Sequence, residues 1–140
     1  MSVGKHFTCE VVTIDKNEAL KAAAQLMFEK NTGSVVVIED QKPVGVLTDR
    51  DLARCYLEGE SIDELSIDQV IDTDVLKISN QDGMQEALAA MAEKGVRRAP
   101  VIDEQGKLVG IVTTDDVVKI LADEFNSLSE IVHQQSTITH

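Results

Sequence analysis

A threonine followed three residues later by an aspartate occurs twice in this chain, as Thr48-x-x-Asp51 and as Thr113-x-x-Asp116. Each pair follows an apolar stretch and a glycine, so that GVLTDRD in the first half corresponds to GIVTTDD in the second. At a helix start, a threonine hydroxyl and free N–H groups can receive a phosphate, and a carboxylate one turn further on can accept both ribose hydroxyls. The same spacing also fits a capping box, which only completes the hydrogen bonds of the helix start. The recurrence of the motif after the same lead sequence favours binding.

The two motifs are the ends of an internal repeat. The segment from Val11 to Tyr56 aligns with the segment from Val75 to Leu121, with one extra residue at Gly106, and fourteen of its 46 residues are identical in the second copy. A unit of this size is small for independent folding, and its apolar face is covered best by the other copy. We therefore expect the copies to be halves of one packed unit.

The first copy predicts the element order β-α-β-β-α. Asp15 with Glu18 has the spacing of a capping box for the first helix, and Asn31 and Gly33 can end that helix because both tolerate left-handed backbone. The predicted strands cover 11–14, 34–39 and 43–47, with a turn at 40–42, and the closing helix covers 49–57.

The second copy predicts the same order. Ser79 with Asp82 has the capping spacing, Gly95 ends the first helix, and the closing helix begins at Asp115. The predicted strands cover 75–78, 98–103 and 107–112, with a turn at 104–106. Two β-α-β-β-α repeats predict an α+β fold (α/β-like) with mixed strands.

These elements divide the chain into four parts. They are the first repeat over 7–57, a connector over 58–70, the second repeat over 71–122, and a C-terminal helical extension with a polar tail over 123–140. Phe125, Leu128, Ile131 and Val132 continue the helical apolar spacing beyond the repeat. This stripe either contacts a partner or packs on its own domain.

Charge and composition argue against several classes of protein, including a single-stranded nucleic-acid binder. With 13 basic and 25 acidic residues the net charge is -12, whereas sequence-independent nucleic-acid binding needs a basic face. Three Phe, one Tyr and no Trp also leave few rings for base stacking. No apolar run approaches the roughly 18 residues of a membrane span, and the N-terminus lacks the apolar stretch of a signal peptide. We expect a cytoplasmic protein that binds neither nucleic acid nor membrane.

The residue inventory does not predict an enzyme. His6, His133 and His140 lie near the termini, and their spacing fits neither a metal site nor an activated nucleophile. Cys9 and Cys55 have no CxxC spacing and are expected to be free thiols. A Walker-type phosphate loop is also missing. We expect no catalytic residue, no metal and no required cofactor.

Taken together, these motifs resemble the tandem CBS (cystathionine-β-synthase) domain pair, also called a Bateman module. The resemblance runs from Phe7 to about Ala122 and rests on the element order, on VVTIDKNEAL and VLKISNQDGM, on GVRRAPVIDEQGKLVGIV, and on the two Gly-x-x-Thr-x-x-Asp endings. It implies a stand-alone CBS domain-containing protein whose repeats pack with pseudo-twofold symmetry and leave two clefts. Such clefts commonly take adenosine-containing ligands such as AMP, ADP, ATP or S-adenosylmethionine.

The resemblance also implies roles for individual residues. Asp51 and Asp116 would hold ribose, and Thr48 and Thr113 would lie near phosphate. The residues implied to line the adenine are Thr13, Ser34 and Val35 in the first copy and Lys77, Arg98 and Ala99 in the second.

The two copies differ at the end that would receive phosphate. The first carries Arg50 inside its motif, whereas the second carries Asp115, which repels a polyphosphate. Arg97 and Arg98 either offset that repulsion by binding phosphate or form a solvated pair at the start of a strand. We therefore expect the two clefts to differ in affinity.

The sequence thus predicts a regulatory module with an adenine nucleotide or S-adenosylmethionine as its ligand. Binding would be signalled through the geometry of a homodimer or of an unidentified regulated protein, which requires only that the ligand favour one arrangement. The alternative is a structural dimerisation module with no nucleotide ligand, in which the motif residues are only helix caps.

Overall fold

Two small mixed sheets, one in each repeat, form the framework of the protein. The computed structural model describes the chain over residues 2–138, with residues 135–138 described by their backbone. The strands are β1 (Thr13–Asp15), β2 (Ser34–Glu39) and β3 (Lys42–Thr48) in one sheet, and β4 (Ile78–Ser79), β5 (Arg98–Ile102) and β6 (Leu108–Thr113) in the other. In both sheets the first strand pairs parallel with the second, and the second pairs antiparallel with the third. The predicted α+β class is confirmed.

Six helices complete the described chain. They are α1 (Val3–Phe7), α2 (Leu20–Lys30), α3 (Asp49–Leu57), α4 (Ile67–Val70), α5 (Met84–Lys94) and α6 (Thr114–Ile138). The predicted order β-α-β-β-α is confirmed in both repeats, and α3 has the predicted bounds. The helix α1 was not predicted.

Left-handed residues end α2 and α5 as the sequence indicated, with one exception. Asn31 follows α2 with φ 51° and Gly95 follows α5 with φ 73°, and the amide of each donates to carbonyls of the last helical turn. Gly33 does not have a positive φ, so its predicted role was wrong. One left-handed residue after the helix is sufficient, because Asn31 has already turned the chain.

The hairpin turns lie where they were predicted. Asp40 and Gln41 both have positive φ and join β2 to β3 as a two-residue turn. The second hairpin is longer, with Gly106 at φ 82°, and Asp103 Oδ1 accepts from the amides of Gln105 and Lys107. The one-residue insertion in the repeat therefore falls in a turn.

The segment at the start of each repeat packs on the other repeat. The buried side chains of Val3 and Phe7 on α1 belong to the core of the second repeat, whereas Ile67 on α4 belongs to the core of the first. The amide of Val3 donates to the Asp82 carbonyl (2.9 Å), and the amide of Ile67 donates to the equivalent Glu18 carbonyl (3.0 Å). The repeat therefore extends further towards the N-terminus than the sequence identities do, and its first segments are exchanged.

This exchange explains why two predicted helix caps were wrong. The helices begin at Leu20 and Met84, after Ala19 and Gly83, and no side chain caps either start. Instead the amide of Leu20 donates to the Leu65 carbonyl (2.9 Å). Ala19 forms a β-bridge with Ser66, and Gly83 forms one with Ser2. Backbone from the exchanged segments thus replaces the side-chain caps.

The residues predicted to cap these helices stabilise the turns before them. Asp15 Oδ1 accepts from the Asn17 amide at 2.9 Å. In the second repeat, Asp82 accepts from the Ser79 amide at 3.2 Å. The predicted strands over 11–14 and 75–78 are likewise displaced to Thr13–Asp15 and Ile78–Ser79.

A glycine in each motif permits the exchanged segments to cross the sheets. A Cβ on Gly110 would lie 1.6 Å from the Phe7 carbonyl oxygen, and one on Gly45 would lie 2.1 Å from Cδ1 of Ile71. Atoms cannot approach so closely, so a side chain on Gly110 would displace the backbone of the crossing segment, and one on Gly45 would displace the Ile71 side chain. The glycine of the repeated motif is therefore a packing requirement.

The last helix, α6, is much longer than its counterpart α3. Val117 is buried in the second core and Ile120 packs against it, but every described side chain from Leu121 to Gln134 is exposed. Within residues 2–138, no helix is both long enough and apolar enough to cross a membrane.

Candidate functional site

A cleft of about 460 Å³ lies between the two repeats. Its walls come from the end of β3 and the start of α3 on one side, and on the other side from the chain before β4 and the start of β5. The lining residues are Val46, Thr48, Asp49, Arg50, Asp72, Asp74, Val75, Leu76, Val96, Arg97 and Arg98. A ligand in this cleft would therefore contact both repeats at once.

The cleft combines an apolar surface with charges of both signs. Val46, Val75, Leu76 and Val96 supply the apolar part, which suits a flat ring. Three arginines and three aspartates supply the charges. In a protein of net charge -12, a site with equal numbers of the two signs is locally rich in cations.

Two of these charged side chains already form surface ion pairs. Asp74 pairs with Lys94 outside the cleft, and Arg97 lies 3.8 Å from Asp115 at the start of α6. Arg97 and Asp115 are both more than four-fifths exposed, and such pairs contribute only about 0–1 kcal/mol. An anionic ligand can therefore replace Asp115 as the partner of Arg97 at little cost.

Four of the predicted site residues meet in this cleft. They are Thr48 and Arg50 from the first repeat and Arg97 and Arg98 from the second. Ser34 lies beside Thr48 on the neighbouring strand, and Arg98 lies beside Thr113 in the same way. The predicted residues of the two copies therefore mix across the repeat boundary.

The other predicted residues lie outside the lining of this cleft. Val35 is 1% exposed and Ala99 is fully buried, so their side chains belong to the two cores. Thr13 lines a separate depression of about 430 Å³ together with Glu10, Val11, Val12, Leu26 and Lys30. Lys77 is exposed just before β4.

The motif at the start of α3 forms a complete capping box. The Thr48 amide donates to Oδ2 of Asp51 at 2.9 Å, and the Asp51 amide donates to Oγ1 of Thr48 at 3.3 Å. The Thr48 hydroxyl donates to the same carboxylate at 3.1 Å, and Arg54 lies 3.6 Å from its other oxygen. Asp51 is thus engaged by its own helix start.

The motif at the start of α6 forms only half of that arrangement. The Asp116 amide donates to Oγ1 of Thr113 at 3.2 Å, but the Thr113 amide does not donate to the Asp116 carboxylate. Asp116 is exposed, and within residues 2–138 its carboxylate has no hydrogen-bond or ion-pair partner. It is therefore available to accept hydroxyl groups.

The first amide of each motif helix is also already paired. Asp49 donates to the Gly33 carbonyl and Thr114 donates to the Arg97 carbonyl, both at 2.9 Å. Fewer free N–H groups face a phosphate than a helix start usually offers. A phosphate group placed in the cleft would therefore depend more on the arginines for its hydrogen bonds.

The aspartates Asp72 and Asp74 were missed by sequence reasoning. They belong to the chain that leaves α4, and they reach the cleft because α4 packs on the first repeat. The equivalent positions in the first copy are Thr8 and Glu10, neither of which is an aspartate. They could have been found only by predicting the exchange of segments, and that exchange leaves no local pattern in the sequence.

Within the described residues, no group of three or more His, Cys, Asp or Glu side chains is placed to hold a metal ion.

The sequence profile described as CBS domain matches residues 3–58 and again residues 67–123. The chain belongs to the CBS domain family. Its two repeats are therefore a CBS pair, and both matches include the exchanged segments α1 and α4.

One named relative supports this membership over nearly the whole of both chains. The chain is 33% identical over 137 residues to the CBS domain-containing protein YhcV of Bacillus subtilis, covering 95% of this chain and 96% of YhcV. Other curated relatives are longer, since the chain spans 62% of one from Methanopyrus kandleri and 22–23% of several enzymes. The CBS pair is thus also found as a part of larger proteins.

Solved structures share the fold. The CBS domain pair of protein MJ0100, in complex with 5-methylthioadenosine and S-adenosyl-L-methionine, superposes with a TM-score of 0.78 at 19% identity, over 89% of this chain and 98% of the other. Hypoxic Response Protein I, with two coordinated zinc ions, gives a TM-score of 0.75 at 30% identity, over 85% of this chain and 98% of the other.

Proposed function

We propose that this CBS pair is a non-catalytic regulatory module that binds an adenosine-containing ligand in the cleft between its repeats. The observation that carries the proposal is the cleft itself, in which Arg50 from one repeat faces Arg97 and Arg98 from the other. The complex of the MJ0100 pair with two adenosine derivatives supports the ligand class. Because the ligand would contact both repeats, its binding favours one relative arrangement of them.

The lining suggests how such a ligand would lie. The adenine packs against Val75, Leu76 and Val96, which form the apolar part of the cleft. Asp116 is not one of the lining residues, but it follows Thr113, the strand neighbour of Arg98, and its free carboxylate would accept the ribose hydroxyls beside the cleft. Phosphate groups bind the guanidinium groups, which suit planar, bidentate contacts with oxyanions.

The depression that contains Thr13 is proposed as a weaker second site. Glu10, Val11 and Val12, the counterparts of Asp74, Val75 and Leu76, line the depression that contains Thr13. In this half, Gly33 and Ser34 stand where the other half has Arg97 and Arg98, and Asp51 is engaged in a capping box. A phosphorylated ligand would therefore bind here more weakly.

The proposal is tested by thermal shift and titration calorimetry with AMP, ADP, ATP, S-adenosylmethionine and GMP, on protein freed of co-purified nucleotide. A ligand at about 100 times its dissociation constant stabilises the folded state by about 2.7 kcal/mol. We expect an adenine ligand to stabilise the protein and GMP to do so less.

Matched variants locate the site. Arg98→Ala removes a half-buried charge from the cleft and should lower the affinity for a phosphorylated ligand roughly tenfold or more, since a charged hydrogen bond contributes about 1.5–3 kcal/mol. Arg54→Ala removes the same charge outside the cleft and should change affinity little. Equal losses in both variants would contradict binding at this cleft.

The complete capping box at Thr48 and Asp51 favours a second candidate, a structural module with no nucleotide ligand. In that case no ligand of the series should shift the melting temperature. The variant Asp116→Ala separates the two candidates, because it should abolish adenosine binding in the first, whereas in the second it should alter no ligand response and leave stability almost unchanged.

A further inference from the structure

The last helix carries an apolar stripe that no part of the described chain covers. Val118, Leu121, Phe125, Leu128 and Val132 follow one another at intervals of three, four, three and four residues. All five side chains are exposed, Phe125 to 70%. This alternation is the heptad pattern of residues at the seam of a coiled coil.

The positions beside this seam allow another helix to approach closely. If Val118 begins a heptad, the flanking positions between Leu121 and Val132 hold Ala122, Glu124, Ser129 and Ile131. Only one of these four is charged, whereas Lys119, Asp123 and Glu130 lie on the outer faces. Like charges therefore do not oppose one another when two such helices pair.

The length of α6 beyond its own domain also calls for a partner. Ile120 is the last residue of α6 that packs against a core. The helix continues to Ile138, which is roughly 27 Å further at 1.5 Å per residue. An unsupported helix of this length is only marginally stable in water.

The exposed area approaches what one side of a stable interface needs. Together the stripe and the flanking Ile131 expose on the order of 600 Å², against about 800 Å² per partner in a standard protein interface. At the root of the seam, Leu121 also borders a groove of about 750 Å³ lined by Met84, Leu88 and Ala89 of α5. This apolar groove extends the surface towards the body of the CBS pair.

We propose that the stripe on α6 is the contact surface for a second copy of this chain, whose α6 pairs with it as a two-stranded coiled coil about a twofold axis. A repeated heptad seam is complementary to itself, which is the requirement of such an axis. The pairing extends the proposed regulatory function, because the helix that begins at the Thr113–Asp116 motif would carry a change at the cleft into the dimer. The dimer itself requires no ligand, and neither does its test.

The test is sedimentation equilibrium of the whole protein with substitutions on and off the seam. We expect a dimer for the natural sequence, and a dissociation constant raised more than tenfold by the double variant Phe125→Glu, Leu128→Glu. The control Asn126→Glu, Ser127→Glu adds the same charge to the outer faces of the same turns and should leave the dimer intact. Circular dichroism and the melting temperature confirm that the body remains folded.

Cross-linking gives an independent measurement. The experiment uses a Cys9→Ser background, which leaves only the buried Cys55. If the helices are parallel, Leu128→Cys chains should form an intermolecular disulfide. If they are antiparallel, a mixture of Phe125→Cys and Leu128→Cys chains should form one. A monomeric natural protein would overturn the proposal. A dimer that is as stable in the seam variant as in the control would also overturn it. A dimer that forms neither cross-link would do the same. Failure of ligand binding would leave these results unchanged.

Discussion

The two Thr-x-x-Asp motifs are alike in sequence but differ in structure. At α3 the carboxylate of Asp51 accepts from both the amide and the hydroxyl of Thr48, and it is only about one-third exposed. At α6 the carboxylate of Asp116 is exposed and accepts no hydrogen bond from Thr113. In one copy of the motif the aspartate caps the helix, and in the other its carboxylate is free. Two similar motifs in the sequence therefore do not imply two equal sites.

The glycines of the two motifs offer the largest expected contrast. Gly110→Ala should prevent folding or cost well over about 3 kcal/mol, because its Cβ would strike the backbone oxygen of Phe7. Gly45→Ala should cost about 1–3 kcal/mol, because its Cβ meets the end of the Ile71 side chain, which can move. Urea denaturation measures both, and equal costs would show that the two crossings are equally rigid.

The two aspartates should differ in their effect on stability. Asp51→Ala removes the acceptor of the Thr48 amide and should lower the free energy of unfolding by about 1 kcal/mol. Asp116→Ala removes an exposed carboxylate that has no partner within the described chain and should change the free energy of unfolding by less than about 0.5 kcal/mol. Denaturation without ligand is the measurement, and a larger loss for Asp116→Ala would reverse the comparison.

Asp115 should lower the affinity of the cleft for phosphate, because its carboxylate competes for Arg97. It stands where the first copy has Arg50, and it lies 3.8 Å from Arg97. Asp115→Asn should raise the affinity for a phosphorylated adenine ligand a fewfold, roughly 0.5–1 kcal/mol, with stability almost unchanged because the pair is exposed. Calorimetry checks this, and Asp123→Asn, further along the same helix, is the control.

The smallest expected effect concerns Cys55 in the closing helix α3. The equivalent residue in α6 is Ile120, which has no ionisable group. Burial, with a lesser contribution from a hydrogen bond to Glu60, raises the pKa of the Cys55 thiol. The folded protein therefore holds this proton more tightly than the unfolded chain. The stabilisation is complete below the ordinary thiol pKa and is lost as pH rises through the higher folded value.

Two measurements check this prediction. Iodoacetamide at about pH 8 should modify the exposed Cys9 and reach Cys55 only after unfolding. The decline in stability above about pH 9 should be shallower in Cys55→Ala, although that variant is less stable at every pH because it loses buried volume. Rapid modification of Cys55 in the folded protein would contradict its burial.

The elements within each repeat were predicted well because their signals are local. The bounds of α3 follow from the cap at Thr48, and the end of α5 follows from Gly95 in the left-handed region. The starts of α2 and α5 were wrong, because backbone from distant segments occupies the positions where a capping side chain was expected. Of the predicted site residues, Thr48, Arg50, Arg97 and Arg98 line the cleft. Val35 and Ala99 instead lie in the cores.

The sequence by itself determined the internal repeat, the order of strands and helices, the turns, the acidic charge and the CBS resemblance. Each depends on residue type and on spacing over a few residues. The tertiary structure decided which segment packs on which core, which aspartate remains free, and which charges line the cleft. Val3 and Ile67 occupy equivalent buried positions although residues 3–10 and 67–74 share no identical residue, because packing requires only apolar side chains of suitable volume there. Contacts between segments distant in the chain leave no local pattern from which the exchange could be read.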